Sequence, residues 1–225
     1  MPRSAEMPPQ TPLATLFSVQ SGQVSGNQIG FDYETMAGNQ PHSYENTVFL
    51  WQTPAQSVPI NTPPKKSDPI LSTQPDGSQF FKGLDIENYS YLLGYAVGKD
   101  VKNVVATVFV PTLNGGSPVS QPPSVTVDDI GSTSVSVQYT MPGGMQPQSD
   151  GDWIGIWEGE EALLYSEPPM QHSAVDSDSN NGFTAMNLRT GLRRGSTYTI
   201  GYFKGGYEST KPNQQTLAAS TTFTA

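Results

Sequence analysis

The chain has 225 residues, a formal net charge of −9 and no cysteine. With 11 Lys and Arg residues against 20 Asp and Glu residues, its charge balance is opposite to that of proteins that bind nucleic-acid phosphates. The lack of cysteine excludes disulfides and thiolate metal sites, and no apolar run approaches the roughly 20 residues of a membrane-spanning helix. The 22 glycines and 20 prolines indicate an acidic, soluble protein that is rich in turns.

The first residues are rich in proline and carry no periodic apolar pattern, which predicts a flexible N-terminal arm over residues 1–13. They also lack a basic segment followed by an apolar run, which is the pattern of a secretory signal peptide. We therefore expect synthesis in the cytoplasm without a signal peptide, and export by a non-classical route stays open as an alternative.

The rest of the chain repeats itself. When residue 38 is laid on residue 144, the Gly-x-Gln-Pro-x-Ser pattern of residues 38–43 falls on the same pattern at residues 144–149. Further blocks match in the same order at nearly the same offset, so we predict two copies of one domain. The predicted units are copy one at 14–112, a linker rich in Gly, Ser and Pro at 113–121, and copy two at 122–225.

The second copy has the clearer strand pattern. Short apolar runs and period-two alternation, separated by turn residues, predict strands at 125–128, 132–140, 153–157, 182–188, 197–203 and 217–224. No segment shows an apolar stripe of helical period between helix caps. The pattern predicts an all-β protein made of two tandem immunoglobulin-like antiparallel β-sandwiches that arose by internal duplication.

Two aromatic features favour the immunoglobulin-like topology. Trp51 and Trp157 lie at equivalent places on the predicted third strand, where an indole fills the core between the two sheets. The segment from Leu192 to Tyr198 resembles the tyrosine corner of fibronectin type III domains, in which a tyrosine hydroxyl bonds back to the backbone of a turn. In the first copy, the corresponding segment that ends at Tyr91 is one residue longer.

The run Asp152-Trp153-Ile154-Gly155 resembles the third strand of SKICH-type domains, which carries Asp-Trp-Val/Ile-Gly. The similarity extends over the second copy, whereas the first copy has Asn46 in place of the Asp. The resemblance implies an immunoglobulin-like sandwich that works in protein contacts and membrane recruitment, not in catalysis.

The chain is poor in the residues that catalysis uses. It has two histidines, and His42 is replaced by Gln148 in the second copy, which favours a turn surface over a shared catalytic base. His172 lies in a predicted proline-rich loop. We therefore predict a protein that is not an enzyme.

The repeated turn is the first candidate for binding, because loops at one end of immunoglobulin-like domains often carry binding residues. The alternative is that Gly and Pro only fix the shape of the turn. The candidate binding residues are Gln40, His42, Ser43, Tyr44, Gln146, Gln148, Ser149 and Tyr165.

A second candidate is a calcium loop. Asp176, Asp178 and Asn180 place oxygen ligands at alternate positions, as calcium loops do. The loop departs from the EF-hand pattern, because Gly stands at position seven and Asn187 at position twelve. Turn formation by Asp, Ser and Asn explains the same residues without a metal. We expect no cofactor, with calcium left open.

These observations predict a non-enzymatic binding or assembly module that mediates protein interaction. The alternative is a lectin-like or secreted effector or toxin-associated protein that binds glycans through the loops between strands, with or without calcium. The expected partner is a protein or a glycan, and neither a nucleic acid nor a transmembrane segment is expected. The oligomeric state stays open.

Overall fold

The computed structural model describes residues 9–160 and 164–225. The strands of the described part are β1 (Gln10–Ala14), β2 (Leu16–Ser18), β3 (Val24–Ser25), β4 (Gln28–Glu34), β5 (Thr47–Gln52), β6 (Lys66–Pro69), β7 (Asp76–Lys82), β8 (Tyr91–Ala96), β9 (Val104–Val110), β10 (Val119–Gln121), β11 (Ser124–Ile130), β12 (Ser134–Thr140), β13 (Trp153–Glu158), β14 (Gln171–Ala174), β15 (Asn181–Asn187), β16 (Thr197–Phe203) and β17 (Leu217–Thr224). The helical elements are α1 (Pro147–Asp150) and the 3₁₀ turns Ser21–Gln23, Val101–Asn103 and Gln214–Thr216.

Each half of the chain builds one antiparallel sandwich. In the first half, β4 is the centre of one sheet: β2 and β3 pair with one of its edges and β7 pairs with the other. This sheet faces a second one in the order β10-β9-β8-β5-β6. In the second half, β11-β12-β15 faces β1-β17-β16-β13-β14. The two halves therefore share one strand order, and the predicted all-β fold of two immunoglobulin-like sandwiches is confirmed.

Aromatic rings fill the space between the facing sheets. In the first half the ring of Tyr95 lies 5.8 Å from that of Phe17 and 5.4 Å from that of Tyr33. In the second half Tyr139 and Tyr202 meet across the same gap at 5.4 Å. Large buried rings remove much apolar surface from water, which is the main source of stability available to a fold without disulfides.

The two sandwiches exchange their first strands. Strand β1, which precedes the first half, pairs with β17 of the second half, and Pro12 opposes Thr221. Strand β10, which precedes the second half, pairs with β9 of the first half, and Ser120 opposes Val108. Each exchanged strand covers a sheet edge whose N–H and C=O groups would otherwise lack partners.

The exchange changes the predicted boundaries. Residues 10–13 of the predicted arm and residues 119–121 of the predicted linker form strands, because each lies against the free edge of the other half. Residues 1–8 of the predicted arm lie outside the described residues.

A side-chain amide fastens β1 to the facing sheet. The Gln10 Nε2 donates to the carbonyl oxygen of Val127, and the N–H of Val127 donates to Gln10 Oε1, both at 2.8 Å. Strand β11 lies at the edge of its sheet, where Val127 pairs with Val137 on one side and has no neighbouring strand on the other. The glutamine thus supplies the pair of hydrogen bonds that a neighbouring strand would give.

The tryptophans face away from the predicted direction. Val48 lies opposite Tyr95, whose ring points into the space between the sheets. Since side chains alternate along a strand, Trp51 lies on the other face of the same sheet. Trp157 does the same in the second half, where it packs with Phe203. The prediction that both indoles fill the inter-sheet core is therefore wrong: each is buried under the loop after its strand, where its Nε1 donates to a loop carbonyl.

Two tyrosine hydroxyls, on β8 and β16, accept hydrogen bonds from the turns that precede these strands. The N–H of Arg193 donates to the hydroxyl oxygen of Tyr198 at 2.8 Å. In the first half the N–H of Asp85 donates to the hydroxyl oxygen of Tyr91 at 3.0 Å. Both contacts fix the segment that crosses from one sheet to the other.

Candidate functional site

The two repeated turns lie at the junction between the halves. Their glycines, Gly38 and Gly144, have φ angles of 90° and 89°, in the left-handed region that favours glycine. Each faces the loop after β5 or β13 of the opposite half: a Cβ on Gly38 would lie 3.1 Å from the ring of Tyr165, and a Cβ on Gly144 would overlap the carbonyl oxygen of Val58. The turns therefore join the two sandwiches.

One pair of the predicted binding residues comes together at this junction. The rings of Tyr44 and Tyr165, from different halves, stack at 6.0 Å with an angle of 24° between their planes. The remaining predicted residues are exposed on their own turns: Gln40, His42 and Ser43 in the first half, and Gln146 directly before α1 with Gln148 and Ser149 on α1 in the second.

A methionine that the sequence analysis did not single out completes the junction. Met36, from the first half, packs into a cluster with Trp153, Trp157, Leu164 and the neighbouring buried side chains of the second half. In that cluster Trp153 stacks on Phe203 with ring centroids 4.0 Å apart. Because this contact is apolar and buried, we expect the halves to unfold as one unit.

Beside this junction lies a groove of about 560 Å³, which we name the acidic groove. Its lining residues are Leu13, Ala14, Glu34, Thr35, Met36, Ala37, Pro75 and Asp76. A second concavity of about 310 Å³ continues it along the outer face of β4 and shares Glu34 and Asp76. Both halves build the acidic groove, since β1 belongs to a sheet of the second half and β4 to a sheet of the first.

Two carboxylates of the groove lie close enough to destabilise the sheet that carries them. Glu34 on β4 lies directly opposite Asp76 on β7, and like charges at directly opposed positions destabilise a sheet. Asp32 lies two residues before Glu34 on the same face of β4 and accepts hydrogen bonds from Ser78 and Gln23. Among the described residues that line the two concavities there is no Lys or Arg, so the groove presents uncompensated negative charge.

The second half fills the equivalent place. Leu13 stands three residues before the start of β2, and Gln121 stands three residues before the start of β11. The Gln121 Oε1 accepts a hydrogen bond from the N–H of Gly143 at 3.3 Å, whereas Leu13 has no acceptor and remains 45% exposed. Gln121 thus bonds the neighbouring turn in the second half, whereas Leu13 leaves its side of the groove exposed in the first.

A buried ionic cluster lies on the second-half side of the junction. The Lys204 ammonium, fully buried, lies 2.8 Å from Asp152 Oδ2 and 3.0 Å from Asp150 Oδ2. Asp152 Oδ2 also accepts from the Tyr202 hydroxyl at 2.7 Å, and Oδ1 accepts from the N–H of Gly205 at 2.8 Å.

Burial raises the pKa values of two groups in this cluster, Asp152 and Tyr202. It raises the pKa of the Asp152 carboxyl above its ordinary value, against the opposing effect of the Lys204 ammonium and the other donors. Burial, and then the charge of Asp152, raise the pKa of Tyr202 well above that of a free tyrosine.

The first half has a neutral version of the same cluster. Asn46 takes the place of Asp152, and its Oδ1 accepts from the Tyr95 hydroxyl at 2.9 Å and from Asn39 Nδ2 at 2.8 Å. Val97 follows Tyr95 by two residues, as Lys204 follows Tyr202. The ionic form is thus confined to the second half.

The predicted calcium loop contacts α1. Both oxygens of Asp178 accept hydrogen bonds from Ser149, one from its N–H and one from its hydroxyl, each at 2.7 Å. These bonds lower the pKa of the Asp178 carboxyl. Asn180 Nδ2 donates to the carbonyl oxygen of Met141 at 3.1 Å, and Asp176 is exposed. In the described part of the chain no three His, Asp or Glu side chains gather as metal ligands; calcium and glycan binding stay predictions.

Comparison with protein-family profiles and with curated protein sequences gave no match. Among solved structures, the chain is similar to the FN1–FN3 domains of chicken CNTN1, with a TM-score of 0.26 and 14% identity, covering 85% of this chain and 56% of that one. It is similar to trypsin-activated alpha-2-macroglobulin from Escherichia coli with a TM-score of 0.26 and 9% identity, covering 96% of this chain and 16% of that one. The chain thus spans about half of the first solved chain and a small part of the second. TM-scores this low carry no argument about function.

Over residues 9–160 and 164–225, none of the helices has the length and apolar character needed to cross a bilayer.

Proposed function

We propose that the protein is a non-enzymatic binding module that takes a segment of a protein partner into the acidic groove. The observation that carries the proposal is the groove itself, which both halves build and in which Leu13 is exposed where Gln121 of the second half bonds Gly143. Concave surfaces with an apolar floor and a few polar groups are the usual form of binding sites.

The chemistry of the lining specifies the partner. Leu13, Met36 and Pro75 supply apolar surface, and Glu34 and Asp76 supply two carboxylates. A segment that carries a Lys or Arg beside an apolar side chain matches both features. Its positive charge would also relieve the repulsion between the two opposed carboxylates.

We further propose that the halves arose by duplication of a SKICH-type domain with a tyrosine corner. Their common sheet order and the two hydroxyl contacts of Tyr91 and Tyr198 support this origin.

The test is a peptide array that pairs basic and apolar residues in all orders. We expect basic-apolar peptides to bind the chain and to lose about tenfold or more in affinity when Glu34→Gln and Asp76→Asn are combined, since each factor of ten is about 1.4 kcal/mol. Binding should also weaken with salt, because the rim charges are exposed.

Two controls belong to this experiment. The pair Glu87→Gln and Asp100→Asn removes the same charge at exposed positions outside the groove and should leave binding unchanged. Leu13→Gln, which copies Gln121, should close the groove and block binding. Equal binding by the groove variant and the wild type, or a preference for acidic peptides, would exclude the proposal.

A further inference from the structure

The Lys204–Asp152 pair combines an amine and a carboxyl group that are both fully buried, with Nζ 2.8 Å from Oδ2. A third group, Asp150, is 3.0 Å from the same nitrogen and is partly open to solvent. We propose that Lys204 and Asp152 condense into an intramolecular amide, with a bond between Nζ and Cγ and the release of one water molecule.

The starting state is a neutral pair. The ammonium of Lys204 passes one proton to the Asp152 carboxylate, which gives an amine and a carboxylic acid. Burial favours this transfer because it removes two charges from a fully buried site. The Tyr202 hydroxyl and the Gly205 N–H hold the carboxyl group in place while the amine faces it.

The bond-forming step then balances without any other reactant. The Nζ lone pair attacks Cγ, and negative charge develops on Oδ1, where the Gly205 N–H already donates at 2.8 Å. Asp150 takes a proton from the nitrogen and returns it to Oδ2, which leaves as water. The C–O bond breaks, the C–N bond forms, and no oxidant or reductant is required.

The position of the pair gives the bond a structural effect. Asp152 comes directly before β13, and Lys204 comes directly after β16, the strand paired with β13. An amide would therefore tie two neighbouring strands at the edge of the junction between the halves. In a chain without cysteine, it is a covalent cross-link that oxidation and reduction do not affect.

The first half supplies an internal contrast. Val97 stands in the place of Lys204, and the Asn46 amide bonds to neutral groups. No amine is present there, so the inference concerns the second half alone.

The test is the mass of the intact wild-type chain, purified in its folded state and measured after denaturation. We expect it to be lighter than its sequence mass by one water molecule, whereas Lys204→Arg has its full sequence mass. After trypsin, a peptide that ends at Arg189 should remain joined to one that begins at Gly195.

A cyclic imide at Asp150-Gly151 or Asp76-Gly77 would also lose one water, so the site must be mapped. Hydroxylamine opens a cyclic imide and leaves an amide between side chains intact. A wild-type chain at its full sequence mass, or a water loss that maps to a hydroxylamine-sensitive imide, would show an ordinary buried ion pair and overturn the proposal.

Asp150→Asn tests the proton carrier. It keeps Lys204 and Asp152, and we expect it to retain its full sequence mass, or to lose water far more slowly than the wild type, while its circular dichroism stays that of the folded chain. Water loss at the wild-type rate would reject this role for Asp150.

Discussion

Asp178 shows how one exposed carboxylate can hold an element in place. Its two oxygens bind the N–H and the hydroxyl of Ser149, which stabilises the short helix α1 beside the junction. The bonds favour the ionised form, so the pKa of the carboxyl is lower in the folded state than in the unfolded chain.

The sign of the pH dependence follows from that difference. Stability from Asp178 is complete above the unfolded pKa, about 3.9, and is lost as the pH falls through the lower folded value. We expect Asp178→Asn to be less stable than the wild type in urea at neutral pH. The gap should narrow when both are measured at about pH 3.

The matched control is Asp176→Asn, two residues earlier in the same exposed loop. It removes the same charge without touching Ser149, so its stability should follow the wild type. A gap for Asp178→Asn that does not change with pH would mean that the ionised form of the carboxylate does not matter.

For single residues, sequence patterns predicted burial better than the face of the sheet on which a side chain lies. Trp51 and Trp157 were expected to be buried, and they are. Their face was mistaken, because period two shows which side chains share a face and not which face meets the other sheet. The stacking of Tyr44 on Tyr165 had no sequence signal, since the two residues meet only when the halves pack together.

Among the elements, the repeated turn that contains Gly144 has the strictest steric requirement. Gly144→Ala combines a left-handed backbone with a Cβ that overlaps the carbonyl oxygen of Val58. We expect it to lower the free energy of unfolding by about 3 kcal/mol or more, through backbone strain and the loss of the contact between the halves.

Gly195→Ala is the control for the backbone alone. Its φ angle is 80°, and no atom lies within 4 Å of the added Cβ. We expect a cost of about 1–2 kcal/mol from the left-handed conformation. If chemical denaturation gives equal losses for the two variants, the turn does not join the halves through Val58.

Strands were predictable where their side chains alternate. The segments 197–203 and 217–224 were predicted with the bounds of β16 and β17, and 132–140 overlaps β12. The exchange of β1 and β10 was not predictable in this way. Backbone groups make those pairings, and three of the five side chains on β1 are exposed, so no apolar period marks the strand.

The acidic groove was equally invisible in the sequence. Its walls come from β1 and from the ends of β4 and β7, which are far apart along the chain. Only the pairing of Glu34 with Asp76 and the crossing of β1 bring them together. The repeated turns stay a predicted binding surface, and their glycines also join the two halves.

At the scale of the whole molecule, strand exchange and a shared core predict one cooperative unfolding transition. Neither sandwich keeps all of its strands if the other unfolds, because β1 and β10 each belong to a sheet of the opposite half.

Trp51→Phe leaves Trp153 and Trp157 as the only tryptophans, so fluorescence then reports on the second half alone. In this background, Leu50→Ala removes a fully buried side chain of the first half and should cost about 2–5 kcal/mol. We expect fluorescence and far-ultraviolet circular dichroism to show a single, equally lowered midpoint, as in two-state unfolding. Leu71→Ala, at a position that is 72% exposed in the same half, should leave both signals near the parent midpoint. Two separate transitions, with the tryptophan midpoint unaffected by Leu50→Ala, would show that the halves are independent modules.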